Sequence, residues 1–325
     1  MQSKERILSR LISYALLGTL LLTGGCQYNQ RPESAALIEP ASQVEAHPLR
    51  GKIIALADGK QISPEELFKQ LRNHRFILIG EKHDNPEHHQ RELQLLQALQ
   101  NGSNTRLVLE MLDEQQGESL ARLSSMSSES EIKTLLNWND RNWPWQDYGP
   151  LISAALREGN QLKAGNLSKP VLMQIYQTGL PDQPRLATVS TIPQTIRATI
   201  QQQVYESHCR TIPFEQMGPM TDIQLSRDAS MAYALNHQLG EQMQAILITG
   251  AFHARKDTGI PQHLRKLTTE PVVSILLTET DDSIKTAAEA ISSNAETADY
   301  IWFTSRSEEK DYCAPLQQQS HKQDS

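Results

Sequence analysis

Four short runs dominated by apolar residues constrain the fold of this chain more than any other feature. They cover residues 76–80, 106–111, 245–249 and 272–277. Helical patterns separate these runs, and a near-continuous apolar run is typical of a strand in a parallel sheet that is covered on both faces. We therefore predict an α/β fold with a mostly parallel central sheet flanked by helices.

Weaker patterns add further elements around these four strands. The additional predicted strands are residues 52–56, an edge strand over 300–304 and a candidate strand over 161–166. The predicted helices open at residues 63–66 and cover about 86–100 and 261–267. The region from about 113 to 240 is mostly helical with polar loops. We interpret it as a large helical insertion over the C-terminal ends of the strands.

Polar motifs follow three of the strands directly. Residues 80–89 read Gly-Glu-Lys-His-Asp-Asn-Pro-Glu-His-His, Glu110 closes the second strand, and residues 250–257 read Gly-Ala-Phe-His-Ala-Arg-Lys-Asp. Open parallel sheets bind ligands outside the carboxyl ends of their strands. We therefore expect the glutamates and histidines of these motifs to meet, although they lie up to about 170 residues apart in the sequence.

Glu81, His83, Glu110 and His253 form the candidate site. A buried carboxylate costs several kcal/mol unless it is paired or bound to a metal ion. Two carboxylates at strand ends therefore indicate a function, and a divalent metal ion is a candidate cofactor. A purely structural role for all four residues is the alternative.

His88 and His89 follow a predicted helix start at Pro86, with Asp84 or Asn85 as the cap. At 100° per residue they share an arc with the leucines of the same helix. We expect both histidines to lie beside the strand ends and to contribute to the site. The alternative is that they have a structural role only.

An aromatic cluster stands out in the helical region. Trp138, Trp143 and Trp145 fall within eight residues and are followed by Tyr148. Aromatic side chains with polar tips suit a flat apolar ligand or a protein interface. The alternative is that they anchor the helical insertion to the sheet.

The N-terminal segment has the order of features found in a secretory signal. Lys4, Arg6 and Arg10 precede an apolar run over residues 11–22, which is shorter than the roughly 20 residues that span a bilayer. Small residues then lead to a cysteine. We predict a signal peptide over residues 1–25.

Cys26 ends the sequence Leu-Thr-Gly-Gly-Cys, which resembles a bacterial lipobox. In a lipobox the cysteine is lipidated and becomes the new N-terminus, so we expect lipidation of Cys26 and a lipid-anchored protein of the bacterial envelope. Gln27 favours the outer membrane. A free Cys26 behind an ordinary signal peptide is the alternative.

Composition narrows the remaining possibilities. The net charge of −7 would become −9 after loss of a net +2 with the signal peptide, and an acidic chain is a poor partner for nucleic acid. We predict a flexible tether over residues 26–50, one domain over 51–305 and a disordered tail over 306–325. Cys209 and Cys313 could form a disulfide or remain free thiols.

Several segments together resemble the ChaN family of haem-binding lipoproteins, within the wider Tiki and erythromycin-esterase-like superfamily. They are residues 80–84 with the histidines downstream, Tyr148-Gly149-Pro150, His208-Cys209, residues 227–232 (Arg-Asp-Ala-Ser-Met-Ala) and the His253 motif. The resemblance covers roughly residues 50–305. It implies haem binding in haem or iron uptake, at a surface completed by a homodimer, together with a haem-transport system as partner.

The resemblance also implies haem-binding residues. Tyrosine and histidine are both known axial ligands of haem iron. Tyr148 is the first candidate because it matches the family pattern, and His88 and His89 come second. Arg141 is a candidate partner for a haem propionate.

The wider superfamily implies a competing function. It contains metal-dependent peptidases and esterases, in which Glu81, His83, Glu110 and His253 would hold a divalent metal ion or activate water. A third interpretation is a tethered interaction protein with a relict site.

Overall fold

The structure, a computed structural model, describes residues 47–314. In this part of the chain the strands are β1 (Ile53–Ala55), β2 (Gln61–Ile62), β3 (Phe76–Glu81), β4 (Thr105–Asp113), β5 (Gln161–Asn166), β6 (Gln244–Gly250), β7 (Val272–Glu279) and β8 (Tyr300–Thr304). The helices are α1 (Pro64–Leu71), α2 (Pro86–Leu99), α3 (Gly117–Leu120), α4 (Glu129–Leu135), α5 (Trp145–Arg157), α6 (Lys169–Thr178), α7 (Gln194–Ser207), α8 (Gly218–Asn236), α9 (Ala251–Ala254), α10 (Ile260–Leu264) and α11 (Ala287–Asn294). The predicted signal peptide, Cys26, Gln27 and the predicted tether up to residue 46 lie outside the described residues, as do residues 315–325.

One eight-stranded sheet organises the fold, in the order β2-β1-β8-β7-β3-β6-β4-β5. The six strands from β8 to β5 run parallel to their neighbours. β1 pairs antiparallel with both β2 and β8. The predicted α/β fold with a mostly parallel sheet is therefore confirmed.

The near-continuous apolar runs arise because both faces of the sheet are covered. In β3, Ile77 and Ile79 pack on one face with helices α1, α2 and α5, whereas Phe76 and Leu78 pack on the other with α8, α10 and α11. Successive side chains of a strand point to opposite faces, so most residues in the middle of such a strand are apolar.

The predicted helical insertion divides into three parts. β5 lies at the edge of the sheet, as the candidate strand over 161–166 predicted. Helices α5 and α8 each cover one face of the sheet. Apolar residues of α6, α7 and the first turns of α8 form a separate cluster.

Strand order corrects one prediction. β8 has the predicted bounds but is not an edge strand, since it lies between β1 and β7. A local pattern cannot show this, because the edge position is decided by β1, which comes more than two hundred residues earlier in the chain.

The first part of the predicted disordered tail is held against the domain. Cys209 and Cys313 form a disulfide, with their Cα atoms 5.5 Å apart. The backbone N–H of Ser307 donates to Glu279, and the Tyr312 hydroxyl donates to Asp84. Composition alone cannot reveal these contacts, because the partners are distant in sequence.

Across residues 47–314, every helix falls short of the length and hydrophobicity that a bilayer-spanning segment requires.

Candidate functional site

The three polar motifs meet at the carboxyl edge of the sheet. β3 and β6 are parallel neighbours with Glu81 opposite Gly250, and β4 lies on the other side of β6. Glu81, Glu110 and the short helix α9 that carries His253 therefore emerge at the same edge. The predicted convergence of these residues is confirmed.

Glu81 and His83 form the first pair of the site. Oε1 of the buried Glu81 accepts hydrogen bonds from Nδ1 of His83 and from the Tyr148 hydroxyl, both at 2.8 Å. Burial and the nearby charge of Glu92 raise the pKa of Glu81 to about 7. Burial alone would lower the pKa of His83, but the hydrogen bond to Glu81 and the neighbouring acidic groups raise it to about 9.

Asp228 and His253 form the second pair. Nδ1 of His253 donates to Oδ1 of Asp228, and both side chains are buried. Burial raises the pKa of Asp228. Burial would lower the pKa of His253, but the charges of Asp228 and Glu110 raise it.

Glu110 stands beside the second pair. Its Oε2 accepts from the Thr249 hydroxyl at 2.7 Å and from the Gly250 N–H at 2.8 Å, and its Oε1 lies 3.6 Å from Nε2 of His253. Burial alone would raise the pKa of Glu110, but the positive charge of the two histidines and these donors lower it to about 2. Glu110 is therefore a buried carboxylate whose negative charge is well compensated.

A third group lies deeper. It consists of Glu81, His89 and Glu92. Among residues 47–314, these three side chains bring one potential metal-ligand atom each to within 4.8 Å of the other two. The predicted metal set of Glu81, His83, Glu110 and His253 does not gather its ligand atoms in this way. Glu81 and His83 form one pair, whereas His253 pairs with Asp228 and has Glu110 beside it. Their roles in catalysis and metal binding stay predictions.

A cavity of about 530 Å³ opens in front of the two pairs. His83 and His253 line one side, and Ile200, Val204 and Phe252 supply apolar walls. Because α7 carries Ile200 and Val204, the helical insertion covers this part of the strand ends. The cavity thus combines two imidazoles with an apolar surface.

His83 is the more accessible of the two imidazoles, with a side chain that is 41% exposed. A Cβ atom on Gly250 would lie 2.9 Å from Nε2 of His83, so this nitrogen sits beside the backbone of Gly250 on the cavity wall. Within the described residues Nε2 makes no hydrogen bond with another group. Because the pKa of the ring is raised to about 9, Nε2 carries a hydrogen at neutral pH, and a metal ion would displace that proton on binding there.

The predicted haem-binding residues do not line the cavity. Tyr148 is fully buried with its hydroxyl bound to Glu81. His88 is also fully buried: its Nδ1 accepts from the Lys82 N–H, and its Nε2 donates to the Thr304 hydroxyl, both at 2.8 Å. His89 is buried, and Arg141 is exposed; neither lines the cavity.

This arrangement argues against Tyr148 and His88 as haem ligands. To bind either side chain, haem iron would have to replace the hydrogen bonds that the side chain makes inside the protein. The prediction placed them by their position in a motif, and a motif does not report which way a side chain points.

The aromatic cluster packs mainly against the domain itself. The ring of Trp138 contacts that of Trp145 at 5.2 Å between centroids, and its Nε1–H donates to the Trp143 carbonyl. Trp143 also contacts the rings of His83 and Tyr148, at 4.9 and 5.6 Å. The anchoring interpretation is supported, and Trp143 in addition holds His83.

The sequence analysis did not identify two buried acidic residues of the site, Asp228 and Glu92. Asp228 lay within a segment cited only for its resemblance to a family, and nothing local links it to His253. Glu92 had a detectable signal, because it lies three residues after His89 on one helix face and stands among the leucines of α2.

Comparisons with known proteins agree with this architecture. The family model described as "Haem-binding uptake, Tiki superfamily, ChaN" matches residues 67–264. A structure described as "Cofacial heme binding to ChaN of Campylobacter jejuni" has 23% identity and a TM-score of 0.65, and covers 77% of this chain and 95% of its own. A mutant of the erythromycin esterase EreC in its open conformation has 13% identity and a TM-score of 0.48, and covers 81% of this chain and 99% of its own. No curated protein matches.

The first of these structures shares the fold, and the family model spans more than half of the sequence. The chain therefore belongs to the ChaN family of the Tiki superfamily.

Proposed function

We propose that this protein binds haem in the cavity beside His83 and takes part in haem or iron uptake as a lipid-anchored protein of the bacterial envelope. The observation that carries the proposal is that Nε2 of His83 has no hydrogen-bond partner among residues 47–314 and that the His83 side chain lines the wall of an apolar cavity. Membership of a family described by haem-binding uptake supports it.

His83 has the surroundings of an axial ligand. Its Nδ1 is hydrogen-bonded to the carboxylate of Glu81, which orients the ring and makes Nε2 a better donor to a metal ion. Histidine is a common proximal ligand of haem iron, and bound haem would supply an iron centre whose properties depend on that ligand. Ile200, Val204 and Phe252 would contact the apolar ring system.

A homodimer is part of the proposal. The description of the Campylobacter jejuni structure states that haem binds cofacially to that protein. In this chain Phe252 lines the cavity and remains 61% exposed. A second copy placed over the cavity would cover this apolar side chain. A haem-transport system would then receive or deliver the haem.

The membrane anchor is proposed from sequence. The lipobox-like residues that end at Cys26 support lipidation there. Replacement of Cys26 by serine should move the protein from the membrane fraction to the soluble fraction and abolish labelling by a radioactive fatty acid. Unchanged labelling would contradict the proposal.

Titration of the purified protein with ferric haem tests the binding site. We expect a Soret band with one haem per chain, which shifts in His83→Gln and persists in His88→Gln. Gln90→Ala, at an exposed position of the same helix as His88, is the control for non-specific effects. An unshifted band in His83→Gln would exclude this ligand, and an absorbance no greater than that with albumin would exclude haem binding.

Hydrolysis is a second candidate function, favoured by the Asp228–His253 pair. The carboxylate orients the imidazole, which borders the cavity; the side-chain amide of Gln224 lies 3.2 Å from Nε2 of His253 and would have to move before this nitrogen could activate water. The test is hydrolysis of 4-nitrophenyl acetate with and without added Mn²⁺ or Zn²⁺. We expect His253→Gln to abolish any turnover. If the protein neither hydrolyses the ester nor binds haem, the remaining interpretation is a tethered interaction protein with a relict site.

A further inference from the structure

Three ligand-type side chains converge behind the wall of the haem cavity. Glu81 ends β3, and His89 and Glu92 lie one turn apart on α2. Nδ1 of His89 is 3.3 Å from Oε2 of Glu81 and 3.2 Å from Oε2 of Glu92. None of the three side chains is more than 7% exposed, and only Glu81 also lines the cavity.

The ring of His89 is held so that one nitrogen faces the two carboxyl groups. Its Nε2 lies 3.2 Å from the backbone carbonyl of His83. A carbonyl oxygen can only accept, so Nε2 carries the hydrogen and donates it. In the neutral ring Nδ1 then presents a lone pair to Glu81 and Glu92. Histidines that bind metal ions are commonly oriented in this way, by donation of the other ring N–H to a carbonyl.

The acidic groups of the cluster are incompletely satisfied. Oε2 of Glu81 and Oε1 of Glu92 are buried and have no hydrogen-bond partner within residues 47–314. Neither carboxyl group forms an ion pair with a lysine or arginine of this part of the chain. Nδ1 of His89 and the two carboxyl groups face one another in the interior, where unpaired acceptors and charges are costly. Such a group is stabilised either by protons on the carboxyl groups, whose pKa values burial raises to about 7 for Glu81 and about 8 for Glu92, or by a cation between them.

We infer that Glu81, His89 and Glu92 form a binding site for one divalent transition-metal ion of the Zn²⁺ type. Mixed imidazole and carboxylate ligands suit such ions. Tetrahedral metal bonds of about 2.0–2.1 Å place neighbouring ligand atoms about 3.3–3.4 Å apart, close to the two distances from Nδ1 of His89. The +2 charge of the ion balances the two carboxylates.

The site is separate from haem binding and goes beyond the proposed function. It shares Glu81 with the His83 pair but uses the other oxygen, since Oε1 accepts from His83 and Tyr148. A bound ion would fix Glu81 and thereby the ring of His83. Its consequence for the cavity is structural, so the site can be tested in haem-free protein.

The test is Zn²⁺ binding by haem-free protein that has been stripped with a chelator and dialysed. Calorimetry should show one Zn²⁺ per chain. Glu92→Gln and His89→Gln should weaken binding by about 100-fold or more, since loss of a direct ligand should exceed the effect of losing an outer-shell partner. Glu87→Gln on the same helix and His253→Gln at the cavity should bind as the unmodified protein does.

X-ray absorption of the Zn²⁺-loaded, unmodified protein provides a test that needs no variant. One imidazole and oxygen ligands are expected. Two imidazoles would place the ion at His83 and His253 and overturn the inference. Absence of Zn²⁺ binding, or full binding by Glu92→Gln and His89→Gln, would overturn it as well. Loss of haem binding with Zn²⁺ binding retained would affect only the proposed function.

Discussion

The hydroxyl of Tyr148 donates a 2.8 Å hydrogen bond to Glu81, whose same oxygen accepts from His83. The tyrosine therefore faces the interior and holds the carboxylate that orients the cavity histidine. It acts through Glu81 and has no direct access to the cavity.

Tyr148→Phe should lower the free energy of unfolding by about 1.5–3 kcal/mol, because it removes a hydrogen bond to a buried acidic group. Urea denaturation measures this change. The Soret band of the haem complex should keep its position. A shifted band with unchanged stability would instead make Tyr148 an iron ligand.

Gly250→Ala should block the cavity nitrogen of His83. The new Cβ would lie 2.9 Å from Nε2, although the backbone at φ −59° accepts alanine. A steric conflict of about 1–3 kcal/mol corresponds to roughly 5–150-fold weaker haem binding. Gly218→Ala is the matched control, because a Cβ there meets no atom within 4 Å. Equal haem affinities for the two variants would contradict the assignment of His83.

Asp228→Asn should lower the pKa of His253. The negative charge of Asp228 favours the protonated ring, and asparagine keeps the shape of the side chain without that charge. An NMR titration of the His253 ring protons measures the pKa. An unchanged value would show that Asp228 does not control this imidazole.

His88 should make the protein sensitive to acid. Burial lowers its pKa from 6.5 to about 4 in the folded state. The unfolded chain therefore binds an additional proton between these values, and the stability due to neutral His88 is present above pH 6.5 and is lost as the pH falls towards 4. The loss amounts to about 3–4 kcal/mol at most.

Urea denaturation at several pH values between 7.5 and 4 tests this sign and size. His88→Gln should show a shallower fall in unfolding free energy over the same range. The same pH dependence in both proteins would assign acid sensitivity to other groups.

The disulfide should stabilise the whole domain. It joins residues 104 positions apart, and closure of a loop of that length is worth up to about 4–5 kcal/mol. A Cys209→Ser, Cys313→Ser double variant should lose stability of this order in denaturation experiments. It should also be cut earlier near residues 305–314 in limited proteolysis. Equal stability with and without a reducing agent would contradict this role.

Local patterns predicted much of the fold. The bounds of β3, β6 and β7 differ by only one or two residues from the predicted runs, because strands buried on both faces are apolar over most of their length. The start of α2 was also predictable. Its cap is Asn85, whose side chain accepts from two backbone N–H groups of the first turn, and Pro86 takes the first position.

The partners within the site were less accessible to prediction. The convergence of Glu81, Glu110 and His253 followed from strand ends alone. Asp228 reaches His253 because α8 packs across one face of the sheet, and Tyr148 reaches Glu81 because α5 packs against α2. Both contacts depend on how helices are oriented in three dimensions.

The sequence by itself determined that strand ends bring carboxylates and imidazoles to one edge, because hydrophobic runs and helix caps act over a few neighbouring residues. Only the tertiary structure decided which of those groups line the cavity and which form hydrogen bonds in the interior. It also decided that His89 and Glu92 lie beside Glu81. The physical reason is that side-chain direction and burial depend on packing between elements that are far apart along the chain.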